Sequence, residues 1–206
     1  MQPPLNGVKV LDLSRILAGP HAAQTLADLG AEVIKVEAPW GDDTRSWGPP
    51  FQTGFDKHQV ASYFLSANRG KVIISANIKE EAARIQALMA QADVIIENFK
   101  PGTFERYLGK APKKAIICSI SGYGQNGPRR DEPAFDLTMQ ARSGIMSITG
   151  EKDGPPAKVG VAWIDVMTGM NAVSAILAAL LVRERTGKGS HIDISLWDTA
   201  IAALVN

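Results

Sequence analysis

Short apolar runs and one-sided apolar stripes alternate along most of the chain. Val8–Ser14 (Val-Lys-Val-Leu-Asp-Leu-Ser) is a short run with β-branched residues and predicts a strand. Pro20 suits a helix N-terminus, and His21–Leu29 carries Ala22, Leu26 and Leu29 on one face before Gly30 stops it. Glu32–Glu37 predicts a second strand, ended by Pro39. Strand, helix and strand within about 30 residues is the length of a βαβ crossover. The order then repeats: Lys71–Asn77 as a strand, Lys79–Gln91 as an amphipathic helix (Ala83, Ile85, Leu88, Met89), and Asp93–Asn98 and Lys114–Ser121 as strands. Beyond these come a helix near Phe135–Ser147, a long apolar helix after Asp165, a strand at His191–Leu196 and a last helix opening at Asp198. Such alternation predicts an α/β fold of Rossmann-like, doubly wound type: a mainly parallel sheet with helices on both faces.

Two stretches depart from the rhythm. Trp40–Asn68 has no clear period and holds Gly41, Gly48, Pro49, Pro50 and Gly54; a connection that long inside a compact domain is usually functional. The chain ends at Ala-Ala-Leu-Val-Asn inside an apparent helix, without a stop signal, which reads as the front part of a longer polypeptide.

Composition narrows the class without naming a function. The 206 residues, 45% hydrophobic and 21% charged with a net charge of +1, describe an ordinary globular chain. Near-neutral charge gives no reason to expect nucleic acid or an anionic membrane as partner. Thr168, Asn171 and Ser174 interrupt the longest apolar stretch, so no membrane span is expected, and the first residues lack the pattern of a leader. One cysteine, Cys118, fits a reducing compartment, and the cytoplasm is the expected location. With only three scattered histidines (His21, His58, His191), no metal site is expected.

The motifs exclude more than they include. Gly122-Tyr-Gly124-Gln-Asn-Gly127 matches the dinucleotide fingerprint in letters, but Pro-Arg-Arg-Asp-Glu-Pro follows it where a helix is required. The first βα turn, Ser-Arg-Ile-Leu-Ala-Gly-Pro, lacks the fingerprint, which disfavours a nicotinamide enzyme. No nucleophile elbow, Walker A loop or zincin motif occurs. Cys118, between isoleucines in mid-strand, reads as a buried inert thiol. Asp165 is the only charged residue between Lys158 and Arg183, at the head of the apolar helix. It can be an N-cap, the common use of Asp at a helix start, or a nucleophile. In either role the helix dipole is expected to keep it ionised at neutral pH. The residues alone leave both open.

Further stretches bring in a resemblance. Pro-Leu-Asn-Gly-Val-Lys-Val-Leu-Asp-Leu-Ser (4–14), Leu-Ala-Gly-Pro (17–20), Leu-Ala-Asp-Leu-Gly-Ala-Glu-Val-Ile-Lys-Val-Glu (26–37) and Gly-Asp-Asp-Thr-Arg (41–45) are followed by Ala-Asp-Val-Ile-Ile-Glu-Asn-Phe-Lys-Pro-Gly (92–102) and Ser-Ile-Ser-Gly-Tyr-Gly-Gln-Asn-Gly-Pro (119–128). Gly-Val-Ala-Trp-Ile-Asp-Val-Met-Thr-Gly-Met (160–170) and Arg-Thr-Gly-Lys-Gly-Ser-His-Ile-Asp-Ile-Ser-Leu (185–196) complete the series. In this order they resemble the family III CoA-transferases, the group of the formyl-CoA, carnitine and succinyl-CoA–glutarate enzymes. The resemblance implies that Asp165 stands at the catalytic aspartate, and that CoA meets Leu17, Ala18, Ala76, Lys79, Asn98, Phe99 and Arg106. It implies acyl-CoA and a carboxylic acid as substrates, no permanently bound cofactor, and an intertwined homodimer.

The departures from the family pattern are also informative. Family chains run to about twice this length, which implies that residues 1–206 are the large CoA-binding domain without the small one. About ten residues are missing between Arg106 and Lys114, where a helix is expected. Ala38 stands where many members carry an arginine near the adenine. The related acyl-CoA racemases add a histidine in a Gly-His-Asp triplet; here the triplet is Ala134-Phe135-Asp136, and phenylalanine cannot exchange a proton. A racemase-like enzyme and a CoA-binding fragment without turnover are the alternatives.

Overall fold

A computed structural model describes residues 2–54 and 58–205. The start residue, part of the Trp40–Asn68 stretch and the chain end at Asn206 lie outside the described residues.

Six strands form one parallel sheet: β1 (Lys9–Asp12), β2 (Glu32–Glu37), β5 (Lys71–Ser75), β6 (Val94–Glu97), β7 (Ile116–Ser121) and β8 (His191–Ser195). Their order in space is β5-β2-β1-β6-β7-β8, and every neighbouring pair runs parallel. The chain builds outward from β1 through β2 to β5, then restarts beside β1 with β6 and continues to β8. The order therefore reverses between β1 and β6, where a doubly wound sheet opens a crevice at its C-terminal edge.

Both faces of the sheet are covered. On one, Val10, Val94, Ile96, Ile116 and Ile120 pack against α1 (Ala18–Asp28), α5 (Asp136–Ser143), α6 (Trp163–Thr186) and α7 (Leu196–Ala202). On the other, Leu11, Leu13 and Ile95 meet Ile85 and Met89 of α3 (Ala82–Met89) and Phe104 and Leu108 of α4 (Thr103–Leu108). Val94 and Ile95 face opposite sides because successive strand residues alternate, and both are fully buried.

Helix α6 has the length and hydropathy of a membrane span. Here it is the last and longest part of the connection from β7 to β8, and its face carrying Ile164, Thr168, Ala172 and Ile176 is buried in the core. Gly169 lets it approach α1: a Cβ there would stand 2.8 Å from the Ala18 carbonyl oxygen and 3.0 Å from His21 Nδ1. This close crossing sets the head of α6 beside the start of α1.

Three sequence expectations are corrected. The described residues of the Trp40–Asn68 stretch hold a 3₁₀ turn (Asp43–Ser46), an antiparallel pair of β3 (Phe51–Thr53) and β4 (Gln59–Ala61), and α2 (Ser62–Ser66). Elements this short leave no detectable period. The last helix opens at Leu196 rather than Asp198, because Ser195 is its N-cap and accepts the Asp198 N–H at 2.9 Å. Asp165 is not the N-cap of α6. Ala162 holds that position without a side-chain bond, and Asp165 is the third helical residue.

Candidate active site

The loops after β1, β2, β5, β6 and β7 and the head of α6 enclose a cleft of about 700 Å³ at the C-terminal edge of the sheet. Its floor is the first βα turn, Ser14–Leu17. Ile16 lies there at φ 73°, a left-handed conformation that strains a β-branched residue. Neighbours on both sides hold it. Asn98, just past β6, accepts the Arg15 N–H at 3.0 Å and donates to the Arg15 carbonyl at 2.8 Å. The Asp42 carboxylate accepts the Ile16 N–H at 3.2 Å, and the Lys35 ammonium donates to the Ser14 carbonyl at 2.7 Å. Lys35 and Asp42 are themselves a buried ion pair, 3.2 Å apart and 1% exposed on each side chain. A second buried pair, Lys71 with Asp12 at 2.8 Å, anchors the end of β1. Asn98 thus joins the two loops that flank the switch point, and two ion pairs fix the turn beneath it.

Asp165 reaches the cleft from the first turn of α6 and is 9% exposed. The helix is capped from afar. Asp136, first residue of α5, accepts the N–H of Ile164 at 2.6 Å and that of Asp165 at 3.1 Å. Gln140, one turn on, donates to Asp136 and accepts the Val159 N–H at 2.8 Å, so the cap is itself held in place. Burial, and then the nearby Asp136 carboxylate, push the Asp165 carboxyl up to about 7. This corrects the expectation of a dipole-lowered pKa: the helix terminus is already occupied by another carboxylate, and water is largely excluded. Tyr63 on α2 lies in the field of Asp165, Asp136 and Asp42; burial first and these charges next raise its hydroxyl to about 12. It remains a donor at any working pH. Ser121 Oγ, at the end of β7 and buried on the cleft wall, has no hydrogen-bond partner among the described residues.

The remaining sequence candidates distribute as follows. Leu17, Ala18, Ala76, Lys79, Asn98 and Phe99 all line the cleft with Asp165. Arg106 does not: it is exposed on α4, its guanidinium 5.4 Å over the Tyr107 ring. Lys79 sits 5.9 Å from the same ring. Glu97 lies beneath the Asn98–Phe99 loop, accepting the Phe99 N–H at 2.8 Å, and burial pushes it up to about 7. Cys118 is fully buried, and burial raises its thiol to about 12. Among the described residues no histidine lines the cleft; Phe135, at the triplet position, does, and is 60% exposed. Sequence reasoning missed Asp136 as the cap of α6 and the Lys35–Asp42 pair beneath the first turn. Only Asp136 left a signal, as an acidic residue at a helix start.

This geometry can hold an extended anionic ligand across the sheet edge and present a desolvated carboxylate at one end. The sequence profile described as CoA-transferase family III matches residues 5–206. A succinate–glutarate CoA-transferase of Agrobacterium fabrum is 49% identical over 215 residues, covering 100% of this chain and 54% of that protein. A succinyl-CoA:glutarate CoA-transferase of Mus musculus is 50% identical over 210 residues, covering 98% and 47%. The crystal structure of a CaiB/BaiF family protein from Brucella suis matches with a TM-score of 0.96 at 47% identity, covering 100% of this chain and 56% of that one. The chain spans about half the length of the curated relatives it matches.

Proposed function

Because the chain belongs to CoA-transferase family III, we propose that its protein moves CoA from an acyl-CoA to a free carboxylic acid, with Asp165 as covalent nucleophile. The observation that carries this reading is the Asp165 carboxyl itself: buried at the wall of a cleft of about 700 Å³, with its pKa raised to about 7. Once ionised, such a carboxylate is poorly solvated and more basic than an exposed one, both of which favour attack.

The steps balance with no redox partner. The Asp165 carboxylate attacks the thioester carbonyl, forming a mixed anhydride and releasing CoA thiolate. The thiolate attacks the Asp165 carbonyl of the anhydride, leaving an aspartyl–CoA thioester while the first acid departs as carboxylate. The second carboxylate attacks that thioester, giving a new anhydride and thiolate. The thiolate then takes the new acyl group and frees Asp165. Acyl-CoA and acid are thus substrates, and the chemistry requires no resident cofactor.

Leu17, Ala18, Ala76, Lys79, Asn98 and Phe99 are proposed to bind CoA, supported by their place on the cleft wall. Lys79, Arg15 and Lys100 supply the cations that phosphates need. Arg106 would join only from outside the lining. Transfer is preferred to racemisation because Phe135 occupies the cleft wall where the second acid/base would stand. A homodimer is part of the proposal, supported by the exposed apolar residues Met170, Leu181 and Val182 of α6; so is a cytoplasmic setting, which the free thiol of Cys118 suits. The relatives suggest the assay: succinyl-CoA as donor and glutarate as acceptor. Glutaryl-CoA formation that is lost in Asp165→Asn supports the reading, and undiminished formation in that variant contradicts it.

A further inference from the structure

Trp40 is 74% exposed, the most exposed aromatic ring among the described residues. An indole left in water is unfavourable, and the turn that carries it is not loose. The Gly41 N–H closes the turn onto the Ala38 carbonyl at 2.8 Å, and Gly41 itself sits at φ 83°, which favours glycine. The buried Glu37 carboxylate accepts the Asp42 N–H at 3.1 Å and holds Arg45 with two bonds of 2.7 and 2.9 Å. Asp42 is in turn paired with Lys35. The ring therefore stands on a pedestal fixed by buried charges. Trp47 packs on Tyr63 and Trp197 on Tyr123, whereas Trp40 has no ring partner among the described residues.

Its place in the cleft gives the exposure a purpose. Trp40 lines the same cleft as Asp165 but follows β2, while Phe135 and Asp136 follow β7. In the sheet order these strands are three spacings apart, roughly 14 Å. Phe135, the other strongly exposed ring on the lining, adjoins Asp136 and so belongs to the reacting end. Arg15, Lys79 and Lys100 come from the loops after β1, β5 and β6, around the middle and the Trp40 side of the cleft. Beside Trp40 on the lining, Ala38 offers a single methyl group, too small to cover the indole face. A flat exposed ring, cations near it and a carboxylate at the far end follow the layout of a molecule with a base, phosphates and a thioester.

We propose that Trp40 is the platform on which the adenine base of the acyl-CoA stacks, fixing the nucleotide end of the ligand while Asp165 meets the thioester end. The inference rests on the acyl-CoA reading above and adds the residue that selects for the base. Stacking on an aromatic face tolerates any purine, so Trp40 recognises a flat ring rather than a hydrogen-bond pattern.

Calorimetric titration separates the two ideas. The protein expressed from its natural gene, Trp40→Ala and Trp40→Phe are each titrated with CoA and with pantetheine, which lacks the nucleotide. Trp40→Ala is expected to weaken CoA about tenfold, to leave pantetheine unchanged, and to be largely rescued by Trp40→Phe. Equal CoA affinity in Trp40→Ala and the parent overturns the stacking role. So does an equal loss for pantetheine, which would mean a general disturbance of the cleft. A parent protein that binds no CoA overturns the acyl-CoA reading itself, and with it the platform.

Discussion

Asp136 accepts the backbone N–H of Asp165 at 3.1 Å, so the carboxylate that caps α6 is the neighbour that disfavours charge on the residue it positions. The arrangement solves a conflict. A nucleophile at a helix head would be the natural cap, but a capping carboxylate has its oxygens occupied and its pKa lowered. With Asp136 taking the N–H groups of Ile164 and Asp165, the Asp165 side chain is left free to face the cleft.

Activity is therefore expected to rise with pH. The proposed mechanism needs an ionised Asp165, and burial and the Asp136 charge push its carboxyl up to about 7. A kcat/KM profile with succinyl-CoA should show an ascending limb near pH 7. A flat profile down to pH 5 would mean that Asp165 is already ionised there.

Replacing Asp136 tests its two effects separately. Asp136→Asn removes the negative charge while keeping an oxygen for the Ile164 and Asp165 N–H groups, so the ascending limb should move below pH 7. Asp136→Ala also leaves those buried donors unpaired and should destabilise the fold by about 1–3 kcal/mol in chemical denaturation. An unmoved limb in the Asn variant would remove Asp136 from the account of the Asp165 pKa.

Stability should carry the same signature with the opposite sign. The folded pKa of Asp165 lies above its unfolded value of 3.8. Its contribution is therefore most favourable below pH 3.8 and is lost as pH rises through about 7. Asp165→Asn, which never ionises, should gain on the parent by up to about 1.4 kcal/mol per pH unit across that window. Taking the difference cancels Glu97, which titrates in the same range. A stability difference independent of pH would contradict the raised pKa.

The floor of the cleft depends on the pair beneath it. Lys35→Met leaves Asp42 buried without its cation and should cost about 3–5 kcal/mol of stability. Asn98→Ala removes both bonds to Arg15 on a more exposed loop. It should cost only about 1–2 kcal/mol, while raising the KM for acyl-CoA as the first turn loosens. Thermal and chemical denaturation alongside steady-state kinetics would resolve the two.

Much of this architecture is legible in the sequence, for physical reasons. Central parallel strands are buried on both faces, so runs such as Val94–Glu97 and Ile116–Ser121 stand out as nearly continuous apolar segments. The pair of β3 and β4 is mostly exposed and only three residues per strand, and it leaves no such trace. Asp165 is conspicuous as a lone charge before an apolar helix. Its environment is not, because the cap comes from a residue 29 positions earlier and its pKa depends on water exclusion that only packing creates. Trp40 is readable as an aromatic in a turn, but its exposure and its pinned turn appear only in three dimensions.

The covalent role proposed for Asp165 is open to direct trapping. Hydroxylamine added while the protein turns over succinyl-CoA and glutarate should convert Asp165 to its hydroxamate, since only an activated aspartyl carbonyl reacts with it. Peptide mass spectrometry would read the modification. The expected result is a hydroxamate at Asp165 that requires acyl-CoA and is absent from Asp165→Asn. Turnover at full rate with Asp165 unmodified, under conditions where a control acyl anhydride is trapped, would contradict the covalent mechanism.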